Sequence, residues 1–469
     1  MRRSKLLWAA FIWLVITGCE KEEGDPDTQE VLQAENGEEL SGGILNTIFN
    51  TSSQSFGFPS PGLTGDDELF FFVGNSFFTQ NWVSAPASTT VRDGLGPVFN
   101  ARACSSCHLR DGRGRPTIGQ TGFSNGFLVR LSIEGLGSHG APNPHPIYGD
   151  QLSDQALPGV PIEGEVSISY STISGQFTDG TPYELTNPYY ELVNLNFGSA
   201  DVMTSPRIGQ QVIGLGLLEA INESDIAAIA DPLDMDGDGI SGKPNLVWDK
   251  ENQEHVLGRF GWKANMPNLK QQTAGAFLGD IGITSSLFPA ENCTDAQEGC
   301  LDAQNGGSPE ISDQNLDAVV LYMSNLAVPA RRDVDNLDVL KGKKIFNNLG
   351  CASCHNPSFQ TGVHPRFNHL SNQTIRPYTD LLLHDMGDEL ADGRPDFEAN
   401  GNEWRTPPLW GIGLIETVNN HTFLLHDGRA RNIEEAILWH GGEGEHSKQE
   451  YVGLNSADRS LLLKFLNSL

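Results

Sequence analysis

Cysteine and histidine residues recur at one fixed spacing in two distant parts of the chain. The pattern Cys-x-x-Cys-His is found at 104–108 and again at 351–355. This pattern attaches haem c, because two thioether bonds hold the macrocycle and the adjacent histidine then lies beside the iron. The alternatives are structural metal knuckles or thiol-redox sites, but two copies in a chain with seven cysteines favour two haems. The predicted attachment residues are Cys104, Cys107, Cys351 and Cys354, with His108 and His355 as iron ligands.

The sixth ligand of each iron separates catalysis from electron transfer. An open position can bind a substrate, whereas a filled position suits electron exchange. In the C-terminal half, Met386 and His384 follow the second motif, and we favour Met386 as the ligand, with core packing as its alternative role. His426 is expected to be a hydrogen-bonded structural residue. No sixth ligand stands out for the first motif.

The three remaining cysteines indicate an exported protein. Cys293 and Cys300 are close enough in sequence to form a disulfide in an oxidising compartment. A basic segment at 1–5 and a short apolar segment at 6–16 precede Ile-Thr-Gly-Cys, which ends at Cys19 and resembles a bacterial lipoprotein signal. We expect a signal peptide at 1–18, lipidation of Cys19 and a flexible polar tether at 19–62; an ordinary signal peptide is the alternative.

This leader predicts a place in the bacterial cell envelope. The lipid would anchor the protein on the periplasmic side without a spanning helix, and Glu20 is compatible with outer-membrane sorting. The formal net charge of -30 argues against nucleic acid and anionic lipid surfaces as partners. It suits a basic redox protein such as a small cytochrome, although solubility alone would also explain it.

An acidic run in the middle of the chain has the spacing of a calcium loop. Asp234, Asp236 and Asp238 occupy positions 1, 3 and 5, a glycine follows at position 6, and Ile240 would offer its carbonyl at position 7. The glutamate expected at position 12 is replaced by Asn245. We therefore predict a Ca²⁺ loop closed by other groups, with an Asx-rich turn as the alternative.

Apolar periodicity predicts the elements that carry these sites. Alternating runs between residues 127 and 195 predict β-hairpins. Helical spacing recurs in the segments 213–221, 269–279, 313–326, 339–346, 433–439 and 456–467. The sequence therefore predicts a mainly α protein with two cytochrome c-like haem domains, at 63–332 and 333–469, of which the first contains a β-hairpin-rich insertion.

The motif set resembles the di-haem oxidoreductase family of peroxidase-like proteins, formerly called thiol oxidoreductases. It is more distantly similar to bacterial di-haem cytochrome c peroxidases, whose C-terminal haem domain has a counterpart of 405–437. The segments that carry the family resemblance are 94–100, 104–108, 236–242, 258–264, 380–387, 405–410 and 426–429.

The resemblance implies two cytochrome c domains that face each other, with one reactive haem and one that passes electrons. Electrons from a donor such as a cytochrome would enter at the C-terminal haem and reduce hydrogen peroxide at the N-terminal haem. Peroxide cleavage needs a base and a charge-stabilising group, for which Glu219 and Arg207 are the candidates. Trp262 is a candidate for assisting electron passage between the haems. Ordinary surface or packing roles are the alternatives for all three.

Two other functions stay open at this level. The chain could be an electron-carrier lipoprotein with both irons six-coordinate and no turnover of its own. It could also be an oxygen-using di-haem oxidase. Calcium near the domain interface is a further feature that the peroxidase relatives imply.

Overall fold

The computed structural model of the chain describes residues 32–116 and 126–469. Its helices are Asp66–Thr79 (α1), Leu215–Glu219 (α2), Glu223–Ala227 (α3), Leu269–Ala276 (α4), Glu298–Leu301 (α5), Asp313–Ser324 (α6), Leu337–Asn348 (α7), Ile415–Asn419 (α8), Ile433–Leu438 (α9), Glu445–Gly453 (α10) and Ser456–Ser468 (α11). Its strands are Thr47–Ile48 (β1), Val98–Phe99 (β2), Phe127–Leu136 (β3), Pro142–Asn143 (β4), Gln155–Ala156 (β5), Glu165–Gln176 (β6), Pro182–Val193 (β7), Met203–Ile208 (β8), Leu246–Asp249 (β9), Glu254–Leu257 (β10), Val328–Pro329 (β11), Phe359–Gln360 (β12), Thr374–Ile375 (β13), Leu383–Asp385 (β14) and Glu403–Arg405 (β15).

The prediction of a mainly α fold is wrong. Of the residues that the structure describes, only 28% are helical and 20% are in strands, and these strands form many small sheets. The physical reason is the high content of 52 glycines and 26 prolines, which interrupt helices and favour turns. The predicted β-hairpins do lie where the alternation placed them: β6 and β7 pair antiparallel along their full length, and β3 pairs with β8.

The largest hydrophobic core joins both halves of the chain. It contains α1 and α6, which pack closely because Gly74 has no side chain to collide with the backbone at Ala318. Residues from the second half, such as Phe367 and Trp410, belong to the same cluster. The two haem motifs are therefore held in one packed body.

A second core supports the second motif. Helices α7 and α11 pack through Gly342, where any Cβ would collide with the carbonyl of Leu461. Phe346 and Phe465 face each other at a ring distance of 5.2 Å. Because α7 ends just before Cys351, this packing fixes the start of the second haem motif.

The described part of the expected tether, 32–62, lies against the folded body. Phe56 is fully buried, and Glu38 forms a buried ion pair with Arg331 and a contact of 2.7 Å with Lys343. Strand β1 pairs parallel with β11. The folded part thus begins well before residue 63. The composition of 32–62, which is poor in clustered apolar residues, did not indicate this. The signal peptide and Cys19 lie outside the described residues.

Two further features bear on the predicted disulfide and on membrane spanning. Cys293 and Cys300 form a disulfide, with their Cα atoms 5.8 Å apart and Cys300 on α5. Among the residues that the structure describes, no helix combines the length and the apolar character needed to cross a membrane.

Candidate functional site

The first Cys-x-x-Cys-His motif forms part of the wall of a cavity, which we call the N-terminal cavity. Cys104 begins a short 3₁₀ turn, and its carbonyl accepts hydrogen bonds from the main-chain nitrogens of Cys107 (3.1 Å) and His108 (2.9 Å). This tight turn puts both sulfur atoms and the imidazole on the same wall. Phe78 of α1 packs 6.1 Å from the His108 ring and supports it.

The second motif lines a separate cavity, which we call the C-terminal cavity. Helix α7 ends near Gly350, whose φ of 79° allows the left-handed turn into a 3₁₀ segment at Cys351–Ser353. Cys351, Cys354 and His355 all face this cavity. The order helix, glycine, Cys-x-x-Cys-His is therefore formed as the sequence predicted.

Both motif histidines have a tautomer fixed by the main chain. Nδ1 of His108 lies 2.7 Å from the carbonyl oxygen of Gln210, and Nδ1 of His355 lies 3.1 Å from that of Tyr378. A carbonyl can only accept, so each Nδ1 carries the proton and each Nε2 keeps its lone pair. Burial lowers the pKa of His108 and lowers that of His355 to about 4, which keeps both imidazoles neutral. Neutral imidazole with an anchored Nδ1 is the form that binds metal.

The cysteine environments do not favour reactive or zinc-binding thiolates. Burial raises the pKa of Cys104 and of Cys351 to about 12. Zinc knuckles and thiol-redox sites need thiolates, which a positive environment stabilises. These apolar cavity walls instead suit thioether bonds, which carry no charge.

The two cavities are large and adjacent. They contain about 1410 and 1480 Å³ of empty space, counting the part open to solvent. The lining of each cavity combines two cysteines, a neutral imidazole with a free Nε2 and largely apolar side chains, so the residues present fit a haem at each motif. Five residues line both cavities and form a shared wall: Gln211, Trp262, Arg405, Pro407 and Pro408.

Hydrogen bonds hold the shared wall rigid. The indole Nε1 of Trp262 donates to the carbonyl of Ile208 at 2.8 Å, and the guanidinium of Arg113 lies 5.4 Å from the indole ring. Arg405 is fully enclosed and donates to the side-chain oxygen of Gln210 at 2.8 Å. Gln210 also supplies the carbonyl that orients His108, so the wall and the first iron ligand are positioned together.

The proposed sixth ligands of the C-terminal cavity have different surroundings. Met386 lines the cavity, whereas both ring nitrogens of His384 are engaged, with Asp380 at 2.7 Å and Glu443 at 2.6 Å. Burial disfavours the charged imidazole, but hydrogen bonds to Asp380, Cys354 and Glu443 raise the pKa of His384 well above its usual value. A protonated His384 whose two ring N–H groups both donate hydrogen bonds has no lone pair for iron. His384, Asp380 and Cys354 could hold a small metal ion by distance alone, since their ligand atoms lie within 4.8 Å of one another.

The two catalytic candidates differ in position. Arg207 lines the N-terminal cavity, where it is buried and paired with Asp396 at 3.1 Å. Glu219 is not among the residues that line either described cavity. Its carboxylate accepts a hydrogen bond of 2.8 Å from the main-chain nitrogen of Leu269 and so satisfies the start of α4. The structure therefore places Glu219 outside the lining of both described cavities, with its carboxylate hydrogen-bonded to the main chain at the start of α4.

The acidic loop is folded as a series of local turns. Carboxylates of Asp231, Asp234 and Asp236 lie within 4.8 Å of one another, and Asp231 is a member that the spacing did not indicate. Asp238 accepts a hydrogen bond from the main-chain nitrogen of Ile240 at 2.8 Å. Ile240 also lines the C-terminal cavity, so the loop adjoins the second motif.

Polar residues that the sequence did not single out also line the cavities. His440 lies on the wall of the C-terminal cavity. The sequence signal for this placement is the position of His440 directly after the helix predicted at 433–439. Asn265, Gln272 and Asp280 line the N-terminal cavity, and Asp280 belongs to a π-helical turn, Phe277–Ile281, that continues α4.

A family model described as "Di-haem oxidoreductase, putative peroxidase" matches residues 36–469. The chain belongs to the di-haem oxidoreductase family. The resemblance drawn from the motifs is thereby confirmed, and the family name implies haem cofactors and an oxidoreductase activity. The match begins at residue 36, close to where the chain joins the folded body. No curated protein shows a significant match to the chain.

Proposed function

We propose that this di-haem oxidoreductase is a peroxidase with one haem c attached at each Cys-x-x-Cys-His motif. Haem bound in both cavities would supply iron redox chemistry, with electrons received in the C-terminal cavity and hydrogen peroxide reduced in the N-terminal cavity. The observation that carries the proposal is the shared wall, because the two cavities that contain the Cys-x-x-Cys-His motifs have five lining residues in common. Cofactors held on both sides of such a wall are close enough for electron exchange.

The assignment of the reactive side rests on a difference between the cavities. Of the described residues that line the N-terminal cavity, His108 is the only histidine. The sulfur atoms of Met266 and Met323 there accept hydrogen bonds from Gln271 and Thr273 at 3.9 and 3.5 Å. No second strong ligand thus competes with a small oxidant on this side. This supports the peroxidase over the electron-carrier alternative.

The chain's own side chains would serve the peroxide chemistry in defined ways. His108 holds the cofactor, with its orientation set by Gln210. Arg207, buried beside Asp396, brings a fixed positive charge to the cavity wall, where it can stabilise a leaving hydroxide. Arg405 and Trp262 exclude water between the two cavities.

We further propose that the protein is lipid-anchored through Cys19 on the periplasmic side of a bacterial membrane. The leader sequence and the disulfide between Cys293 and Cys300 support an oxidising compartment. A small cationic cytochrome is the proposed electron donor, because the formal charge of -30 attracts basic proteins. Ca²⁺ at the loop of Asp234, Asp236, Asp238 and Ile240 is part of the same proposal.

The test uses mature protein purified from a host that attaches haem c. Mass spectrometry should find two macrocycles, at peptides containing 104–108 and 351–355. Ferric or half-reduced protein should show one high-spin, five-coordinate iron, and peroxide should be consumed with a reduced cytochrome. Two low-spin irons that bind neither peroxide nor cyanide would establish the electron carrier instead. Oxygen consumption without peroxide turnover would establish the oxidase.

A further inference from the structure

A second imidazole faces the iron ligand of the C-terminal cavity. The ring centroids of His355 and His440 lie 6.5 Å apart, with their planes inclined by 51°. Both rings line the same cavity. Within the part of the chain that the structure describes, neither Nε2 has a hydrogen-bond partner. In the described structure, both lone pairs are therefore unengaged.

The separation of the rings matches a metal ion held between them. An imidazole nitrogen binds a first-row metal at about 2.0–2.1 Å, and the ring centroid lies about 1.1 Å behind it, so two axial imidazoles place their centroids about 6.3 Å apart. The observed distance is 6.5 Å. Packed rings without a metal between them also lie this far apart, as Phe346 and His355 do at 6.3 Å, so the distance is compatible with a metal ion and does not by itself require one.

The backbone prepares His440 for this position. Its Nδ1 lies 2.7 Å from the carbonyl oxygen of Ala436 in α9, which fixes the tautomer with a free Nε2. Burial lowers the pKa of His440, so the ring is neutral. A side chain at Gly444 would come within 3.1 Å of the His440 ring, so glycine there leaves this rotamer its space. The same arrangement, an Nδ1 anchored to a main-chain carbonyl, orients His108 and His355.

The other candidates in this cavity lack one of these properties. His384 is bonded through both ring nitrogens. His426 is stacked on Trp404, and its Nε2 lies 3.6 Å from Asp427. Met386 lines the cavity, but it packs against two apolar clusters, and thioether packing alone accounts for its position.

We propose that His440 is the sixth ligand of the C-terminal iron, opposite His355, in place of Met386. This inference rests on the proposed function, since it requires haem at the second motif. Two imidazoles close that iron to peroxide and lower its potential relative to a histidine–methionine pair. His440 thereby distinguishes the C-terminal cavity from the N-terminal cavity. Of the described residues that line the N-terminal cavity, His108 is the only histidine, so no second imidazole is available there.

The test compares His440→Ala, His440→Met and the matched control Met386→Leu, each as protein with both haems attached. In the ferric parent, electron paramagnetic resonance should show a low-spin bis-imidazole signal, and the optical absorption spectrum should show no methionine-to-iron charge-transfer band. His440→Ala should lose that signal, and His440→Met should gain the band with an upward shift of the C-terminal midpoint potential. Met386→Leu should leave both the signal and the potential unchanged.

The opposite pattern would overturn the inference. A charge-transfer band in the parent that disappears in Met386→Leu would make Met386 the ligand. To separate a lost ligand from a misfolded variant, His440→Gly is measured with and without added imidazole. Imidazole should restore the low-spin signal, and a failure to restore it in folded protein that retains both haems would contradict the assignment. Absence of covalent haem at 351–355 in the parent would instead refute the proposed function.

Discussion

Nδ1 of His108 lies 2.7 Å from the main-chain oxygen of Gln210, which is 102 residues further along the chain. The nitrogen donates and the carbonyl accepts, so the iron-facing tautomer of His108 depends on a segment distant in sequence. The side chain of Gln210 also accepts a hydrogen bond from Arg405, which comes from the second half. The first cofactor site is therefore completed by parts of the chain on both sides of residue 332.

The first prediction concerns His108 itself. His108→Gly removes the ligand from the N-terminal cavity and should abolish peroxide turnover, by more than the roughly 10–100-fold that loss of an outer partner usually costs. The C-terminal haem should still titrate, because its ligands lie on other elements. Peroxide consumption and an optical redox titration measure the two effects.

The matched control for this variant is His446→Ala, since His446 is exposed on α10. It should retain parental turnover. If His108→Gly kept its peroxide activity, the reactive centre would have to be placed in the C-terminal cavity.

Local sequence patterns predicted the covalent motifs and the helices beside them. The helix at 339–346 followed by glycine is α7, and the last helix is α11, as apolar periodicity indicated. These elements depend on neighbours three or four residues away, which a sequence displays directly. The hairpin of β6 and β7 was visible for the same reason.

Properties that depend on distant contacts were not predictable. Glu219 was a candidate base for peroxide cleavage, but its carboxylate accepts a hydrogen bond from the main-chain nitrogen of Leu269, 50 residues away. The segment near Phe56 reads as a polar tether because its burial is supplied by residues beyond 300. His440 could not be placed from the sequence because only the folded chain brings it to His355. The prediction of a mainly α fold failed because glycine and proline interrupt the helices and leave short elements.

The second prediction tests the shared wall. Trp262→Phe removes the donor that satisfies the carbonyl of Ile208, so the free energy of unfolding should fall by about 1–3 kcal/mol. If the indole also assists electron passage, reduction of the N-terminal haem by an electron donor should slow, with both haem spectra unchanged. Stopped-flow reduction and denaturant unfolding measure the two quantities.

Trp248→Phe is the control for the wall, since Trp248 lines neither described cavity and stacks on His139. It should not affect the reduction rate. Equal reduction rates in the parent and in Trp262→Phe would assign Trp262 to packing alone.

The third prediction is a pH dependence at Asp111. Burial raises the pKa of Asp111 to about 7, despite the hydrogen bond of 2.6 Å from the Tyr322 hydroxyl, whereas the unfolded value is 3.8. The folded state thus binds an extra proton between about pH 4 and pH 7, so the free energy of unfolding falls as pH rises through this window. The free energy of unfolding of Asp111→Asn should not show this fall with pH. Asparagine tolerates the φ of 63° at this position.

Denaturant unfolding at pH 5 and pH 8 measures this effect. The advantage of Asp111→Asn over the parent should grow between pH 5 and pH 8, by at most about 2.6 kcal/mol for pKa values of about 7 and 3.8. Asp302→Asn, a change at an exposed acid, should show no such growth. A constant difference between variant and parent at both pH values would remove Asp111 as the titrating group.

The last prediction concerns the acidic loop beside the C-terminal cavity. The clustered carboxylates of Asp231, Asp234 and Asp236 repel one another unless a cation neutralises them, and oxygen ligands suit Ca²⁺. Chelator treatment should lower the melting temperature by a few degrees, and Ca²⁺ at about 100 times its dissociation constant should restore about 2.7 kcal/mol. Asp236→Asn should abolish the response, whereas the exposed Asp295→Asn should keep it. If Ca²⁺ shifted the melting temperature of the parent and of Asp236→Asn equally, it would bind elsewhere. If neither the chelator nor Ca²⁺ affected the parent, the loop would be a series of Asx turns without a metal ion. In such turns, carboxylates accept hydrogen bonds from main-chain nitrogens, as Asp238 does from Ile240.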